Sequence, residues 1–98
     1  MATYISLIRF TEQGIRNVKE VPGRIDDARK RFERAGGQLK EWYLAMGKYD
    51  IVIICEAPDD ETMARATLSV GSLGNVRTET MRVFSEADFR TKIIPSVK

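Results

Sequence analysis

Five consecutive residues, Ile51, Val52, Ile53, Ile54 and Cys55, are apolar. Neighbours along a strand point to opposite faces, so Ile51 and Ile53 face one way and Val52 and Ile54 the other. An antiparallel sheet with one wet face alternates apolar and polar residues. This run does not alternate, so a strand here has to be dry on both faces. The opening "TYISLIRF" agrees, because Ile5 and Leu7 oppose Tyr4, Ile8 and Phe10. A chain of 98 residues is near the usual size of one domain and holds one core, not two. A fold with a doubly dry sheet and one core is therefore constrained from the start.

The remaining punctuation supplies the order of elements. Residues 3–10 read as a first strand, rich in β-branched and aromatic types. Thr11 is an N-cap for "TEQGIRNV". Pro22 interrupts that stretch, and a longer helix restarts there, with Ile25, Ala28, Phe32 and Ala35 as one apolar stripe. Gly36 and Gly37 end it. Residues 38–46 read as a second strand, and Gly47-Lys48 as a tight turn into an antiparallel third strand, 49–57. Pro58 stops that strand. Asp59 or Asp60 caps a helix whose buried stripe is Met63, Ala66, Thr67, Val70 and Leu73. Residues 75–84 form a fourth strand, and Ser85 caps a short last helix. The pattern is α+β: a ferredoxin-like βαββαβ sandwich with a four-stranded antiparallel sheet and a short C-terminal helix, one domain over residues 1–98.

Two main helices cover only one face of such a sheet. A second copy of the same sheet is the simplest cover for the other, giving a homodimer, or a higher homo-oligomer, built as a dimeric α/β barrel. The C-terminal helix is the other available cover.

Composition narrows the chemistry. Sixteen Lys and Arg against fourteen Asp and Glu leave a net charge of +2, and the densest basic run, 28–34, is interleaved with acids. That is a solvated helix face, and no nucleic acid is expected as a partner. No run approaches the roughly 18 apolar residues of a membrane span, and the first ten residues lack a signal-peptide pattern. With Cys55 as a lone, buried thiol, a cytoplasmic location is expected and no membrane association. The chain has no histidine. That removes Ser-His-Asp and Cys-His catalysis and most zinc sites. No cofactor and no metal are expected; "DDE" at 59–61 serves a helix start rather than a hard cation.

The candidate site residues follow from position. Asp50, one step before the apolar run, is either a carboxylate base at a pocket mouth or a residue bonding turn amides after Gly47. Gly47 supplies a backbone angle that other residues dislike. Tyr49 either offers its hydroxyl to a ligand or packs its ring. Trp42 and Tyr43 lie on opposite faces of the second strand; Trp42, in register with Lys40 and Leu44, suits a pocket edge. In the fourth strand Arg77, Glu79 and Met81 share a face. Arg9 and Arg77 are candidates to hold an anion, or to form structural salt bridges, with Asp50 or Glu79 as partners.

"GKYD" at 47–50 and the strand "IVIICEAPDDETMA" after it resemble the GYD domain family. The flanks "MATYISLIRFTEQGIRNVKE" and "GSLGNVRTETMRVFSEADF" are similar to the same family, so the resemblance covers about residues 2–90. Gly47, Tyr49 and Asp50 carry its signature, with Lys48 between Gly and Tyr. The resemblance implies a dimeric α/β-barrel, ferredoxin-like fold and says little of activity. Wider relatives include cofactor-independent monooxygenases and isomerases and effector-binding domains of regulators. Three functions stay open: a module binding a small aromatic or anionic organic ligand beside the sheet; an enzyme using Asp50 as base; a structural oligomer piece. A pocket into which Asp50 or Arg9 opens would favour the first two.

Overall fold

The β-branched and aromatic runs form four strands: β1 (Ala2–Phe10), β2 (Gln38–Leu44), β3 (Ile51–Ala57) and β4 (Val76–Val83). Three helices matter for the core: α1 (Glu12–Arg16), α2 (Val21–Arg34) and α3 (Asp60–Ser72). A last turn of helix, α4 (Glu86–Asp88), runs on into a π-helical stretch at Phe89–Ile93 and a 3-10 turn at Ile94–Ser96. In this computed structural model, which describes residues 1–98, the sheet order is β2-β3-β1-β4 and every pairing is antiparallel. β1 and β3 are the central strands, which is where the two doubly apolar runs lie.

The helix boundaries have local causes. The Thr11 hydroxyl accepts from the Gly14 amide at 3.1 Å and opens α1. Pro22 sits in the first turn of α2, where its missing N–H is not needed. Gly36, with φ of 92°, ends α2 in the left-handed region. Asp59 caps α3 by accepting from the Thr62 amide at 2.8 Å and the Thr62 hydroxyl at 2.7 Å. Those Thr62 hydrogen bonds hold the Asp59 carboxyl below the usual carboxylate range.

Both helices pack on one face of the sheet. The molecule is 19 Å through its shortest axis, the thickness of one sheet and one helix layer. Towards the helices point Tyr4, Ser6, Ile8 and Phe10 of β1, Ile51, Ile53 and Cys55 of β3, and Trp42 of β2. Tyr4, Cys55, Ala57 and Met63 form the tightest cluster, with Phe32 against it. Burying side chains such as Ile8 and Ile51 stabilises by about 2 kcal/mol each. Only ten of the 98 residues are buried, and none belongs to α2. The apolar stripe of α2 therefore faces the sheet without closing on it.

The structure corrects three details of the sequence reading. The link from β2 to β3 is not a tight turn: pairing ends at Leu44 and resumes at Ile51, leaving residues 45–50 as a loop. β2 carries a bulge between Leu39 and Glu41. The extra residue, Lys40, breaks the alternation, so Lys40 is not in register with Trp42, and Leu39 joins the helix-side face opposite Cys55. Ala35 and Leu73, expected in the buried stripes, are exposed, because each is the terminal cap of its helix.

Candidate functional site

The face of the sheet away from the helices is uncovered. Ile5 and Leu7 of β1 stand opposite Ile54 and Val52 of β3, and Met81 of β4 lies opposite Ile5. Tyr43 of β2 flanks Val52. Ile5, Leu7, Val52 and Ile54 are half-buried, and Tyr43 and Met81 are 52% and 43% exposed. The two central strands thus present an apolar face with nothing on it.

A polar cluster occupies one end of this face, built from the end of β1, the 45–50 loop and β4. The Tyr49 hydroxyl donates to Glu79 Oε2 at 2.9 Å. That hydrogen bond raises the Tyr49 pKa. The Arg9 guanidinium lies 4.8 Å from the centre of the Tyr49 ring, and Arg9 Nε donates to the Lys48 carbonyl at 3.0 Å. Lys48 Nζ lies 5.8 Å from the same ring. The sequence reading offered Arg9 either an anionic ligand or a structural salt bridge with Asp50 or Glu79. Neither salt bridge occurs: Asp50 and Glu79 are bonded elsewhere, and Arg9 is held by a carbonyl and an aromatic face. Arg77 sits directly across from Arg9 and makes no ion pair with Glu79. Lys48 was the residue of this cluster that sequence reasoning passed over, although it stands inside the signature.

Asp50 lies beside the cluster and does different work. Its Oδ2 accepts from the Phe10 amide at 2.9 Å, its own amide donates to the Ile8 carbonyl at 2.8 Å, and its carbonyl accepts from the Ala45 amide at 2.8 Å. The partner is the end of the neighbouring strand rather than the turn after Gly47. Gly47 has φ of 134°, in the region that favours glycine, with open space around it.

A second feature lies on the helix side. A cavity of about 180 Å³ lies between the sheet and helices α2 and α3, lined by Ile8, Ile25, Phe32, Trp42, Ile53 and Val70 among others. Trp42 and Tyr43 thus take opposite sides, Trp42 at the cavity and Tyr43 on the bare face. The cavity wall is mostly apolar, with Ser6, Arg24, Arg31, Thr67, Asn75 and Thr78 as polar members; the buried Ser6 hydroxyl is 2.8 Å from that of Thr80 on the next strand. Neither Asp50 nor Arg9 lines this cavity. Burial pushes the Cys55 thiol up to about 11, and burial with the Asp60 hydrogen bond pushes Tyr4 up to about 12. No helix is long and apolar enough to cross a membrane.

Comparison with known proteins places this arrangement. A family model described as GYD domain matches residues 4–93. A Thermus thermophilus protein named glutamine synthetase and cystathionine beta-lyase binding protein is 34% identical over 94 residues, covering 95% of this chain and 99% of that one. A crystal structure of a Thermus thermophilus protein superposes with a TM-score of 0.55 at 26% identity, covering 87% of this chain and 95% of the other. The signature residues Gly47, Tyr49 and Asp50, of which Tyr49 belongs to the polar cluster, fall inside the matched span, and the chain belongs to the GYD domain family.

Proposed function

We propose that this chain, a single GYD domain, is a cytoplasmic binding protein that acts as a homodimer and docks on larger enzymes. The observation that carries the reading is the bare sheet face, where Ile5, Leu7, Val52 and Ile54 stand unprotected on the two central strands. Contiguous exposed apolar surface of this kind marks an interface. A second copy placing the same rungs against these closes an α/β barrel, as the family resemblance implies. The helical surfaces stay free for another partner. The name of the Thermus thermophilus relative, which states binding to glutamine synthetase and cystathionine beta-lyase, supports an enzyme as that partner.

Sedimentation velocity of the purified protein, alone and with glutamine synthetase or cystathionine beta-lyase from its own host, tests both parts. The expected result is a dimer that shifts saturably into the enzyme boundary. A monomer sinks the sheet-to-sheet pairing, and a dimer indifferent to both enzymes sinks the docking.

A second reading is favoured by the cavity. Its volume is below the roughly 300 Å³ of ordinary ligand sites and close to the roughly 150 Å³ that accepts a benzene ring. Its occupant is a small apolar or aromatic molecule. The third reading, an enzyme with Asp50 as base, has less support, since the carboxylate of Asp50 is engaged by the Phe10 amide and lies away from the cavity.

A further inference from the structure

Arg9 and Arg77 are cross-strand partners on the same face of the sheet. Directly opposed residues in an antiparallel pair have Cα atoms about 5 Å apart, and like charges so placed destabilise the pairing. The usual remedy is a carboxylate between them. The chain has six ion pairs, and neither arginine belongs to one. Neither nearby acid is ion-paired with them: Glu79 accepts from Tyr49, and Asp50 accepts from the Phe10 amide. Lys48 adds a third cation beside the same ring.

The fork of Arg9 is also held in place. Its Nε donates to the Lys48 carbonyl, and its guanidinium carbon lies 4.8 Å over the centre of a Tyr49 ring whose hydroxyl donates to Glu79. A fixed fork loses little freedom on meeting a planar oxyanion, which is the condition for strong two-point recognition. The pair sits on the penultimate rung of β1 and β4, beyond the apolar rungs at Ile5 and Leu7. It therefore stays at the rim when the centre of the face is covered.

We propose that Arg9 and Arg77, with Lys48 beside them, form a carboxylate-binding site for a small organic acid at the edge of the open sheet face. The site goes beyond enzyme docking and does not require it. A carboxylate side chain of a second copy offers the same chemistry, and the two sources are separable by experiment.

Succinate is the probe, titrated at constant ionic strength into the isotopically labelled protein while the Arg Nε–H and backbone amide signals are followed by NMR. Light scattering on the same samples reports the assembly state. The expected result is a saturable shift at Arg9, Arg77 and Lys48 that dimethyl succinate does not reproduce. Arg77→Gln, a change at an exposed position, weakens succinate binding roughly tenfold and leaves the assembly unchanged. Arg9→Gln with Arg77→Gln abolishes it. Three results overturn the site: no saturable shift, an equal shift in the Arg77→Gln protein, or a substitution that weakens only the dimer while wild-type protein ignores succinate. A failure of enzyme docking leaves all of these readouts in place.

Discussion

The carboxylate of Asp50 accepts the backbone amide of Phe10 at 2.9 Å, where β1 has run past the start of β3. The regular ladder ends at Ile8 opposite Ile51, so the Phe10 amide has no strand partner on that side. Asp50 extends the ladder by one side-chain rung. Asp50→Ala is expected to cost about 2 kcal/mol, the range for a hydrogen bond to a charged acceptor. Asp50→Asn keeps an acceptor and is expected to cost about half as much. Urea denaturation measures both. An Asp50→Ala protein as stable as wild type would remove the structural role.

Two glycines make opposite predictions from the same substitution. A Cβ at Gly14 would stand 1.9 Å from the Asn75 carbonyl oxygen, which is fixed by the Thr11 amide at 3.0 Å. Backbone on backbone cannot yield cheaply, so Gly14→Ala is expected to destabilise by about 3 kcal/mol or more. Gly23, inside α2, has nothing within 4 Å of the position a methyl group would take. Gly23→Ala is expected to stabilise by about 0.5–1 kcal/mol through helix propensity and a less flexible unfolded chain. Thermal melts of the two proteins should move in opposite directions.

The buried thiol and phenol set a response to alkali. Cys55 is raised from 9.0 to about 11 and Tyr4 from 10.0 to about 12. Both groups hold their protons more tightly when folded. Their contribution is complete below the unfolded values and is lost as pH rises through the folded ones. Stability is expected to decline from about pH 9 to about pH 12, first through Cys55 and then through Tyr4. Urea midpoints across this window check the slope, and Tyr4→Phe should flatten its upper part. At neutral pH the folded Cys55 should resist a thiol reagent that labels it at once in urea.

The bare face gives the simplest test of pairing. Ile54→Lys places a charge opposite Ile5 without touching the helix side. The sedimenting species is expected to fall from dimer to monomer, with the far-ultraviolet circular dichroism unchanged. Retention of the dimer would locate the interface elsewhere.

The fold was readable because its signals are local. The Ile51–Cys55 run, the Thr11 and Asp59 caps and the glycine at 36 each act on their own neighbours, and each marks an element where the sequence placed it. The bulge at Lys40 was hidden because "QLKEWYL" alternates acceptably with or without an extra residue; only the pairing with β3 reveals which residue is spare. The site was less legible for a related reason. Arg9, Lys48, Tyr49 and Glu79 come from three separated segments, and sequence suggests charge pairs where the structure makes a carbonyl bond and a cation–π contact. Asp50 was correctly singled out as unusual, but its partner, the Phe10 amide, is a backbone group that no side-chain pattern announces.

The sheet order also dictates a timetable. β1 leaves the ribosome before the other three strands, yet its neighbours are β3 and β4, and the rung between Thr3 and Val83 joins residues far apart in the chain. The first strand made is thus among the last to be enclosed. Such long-range pairings carry a large loop-closure cost before they give anything back, which slows folding. Until residues near 83 emerge, the apolar side chains of β1 have one neighbour at most, and a truncated chain ending in α3 should expose them to any chaperone that reads extended apolar segments; pulse-labelling hydrogen exchange on stalled chains would show β1 amides unprotected on the β4 side.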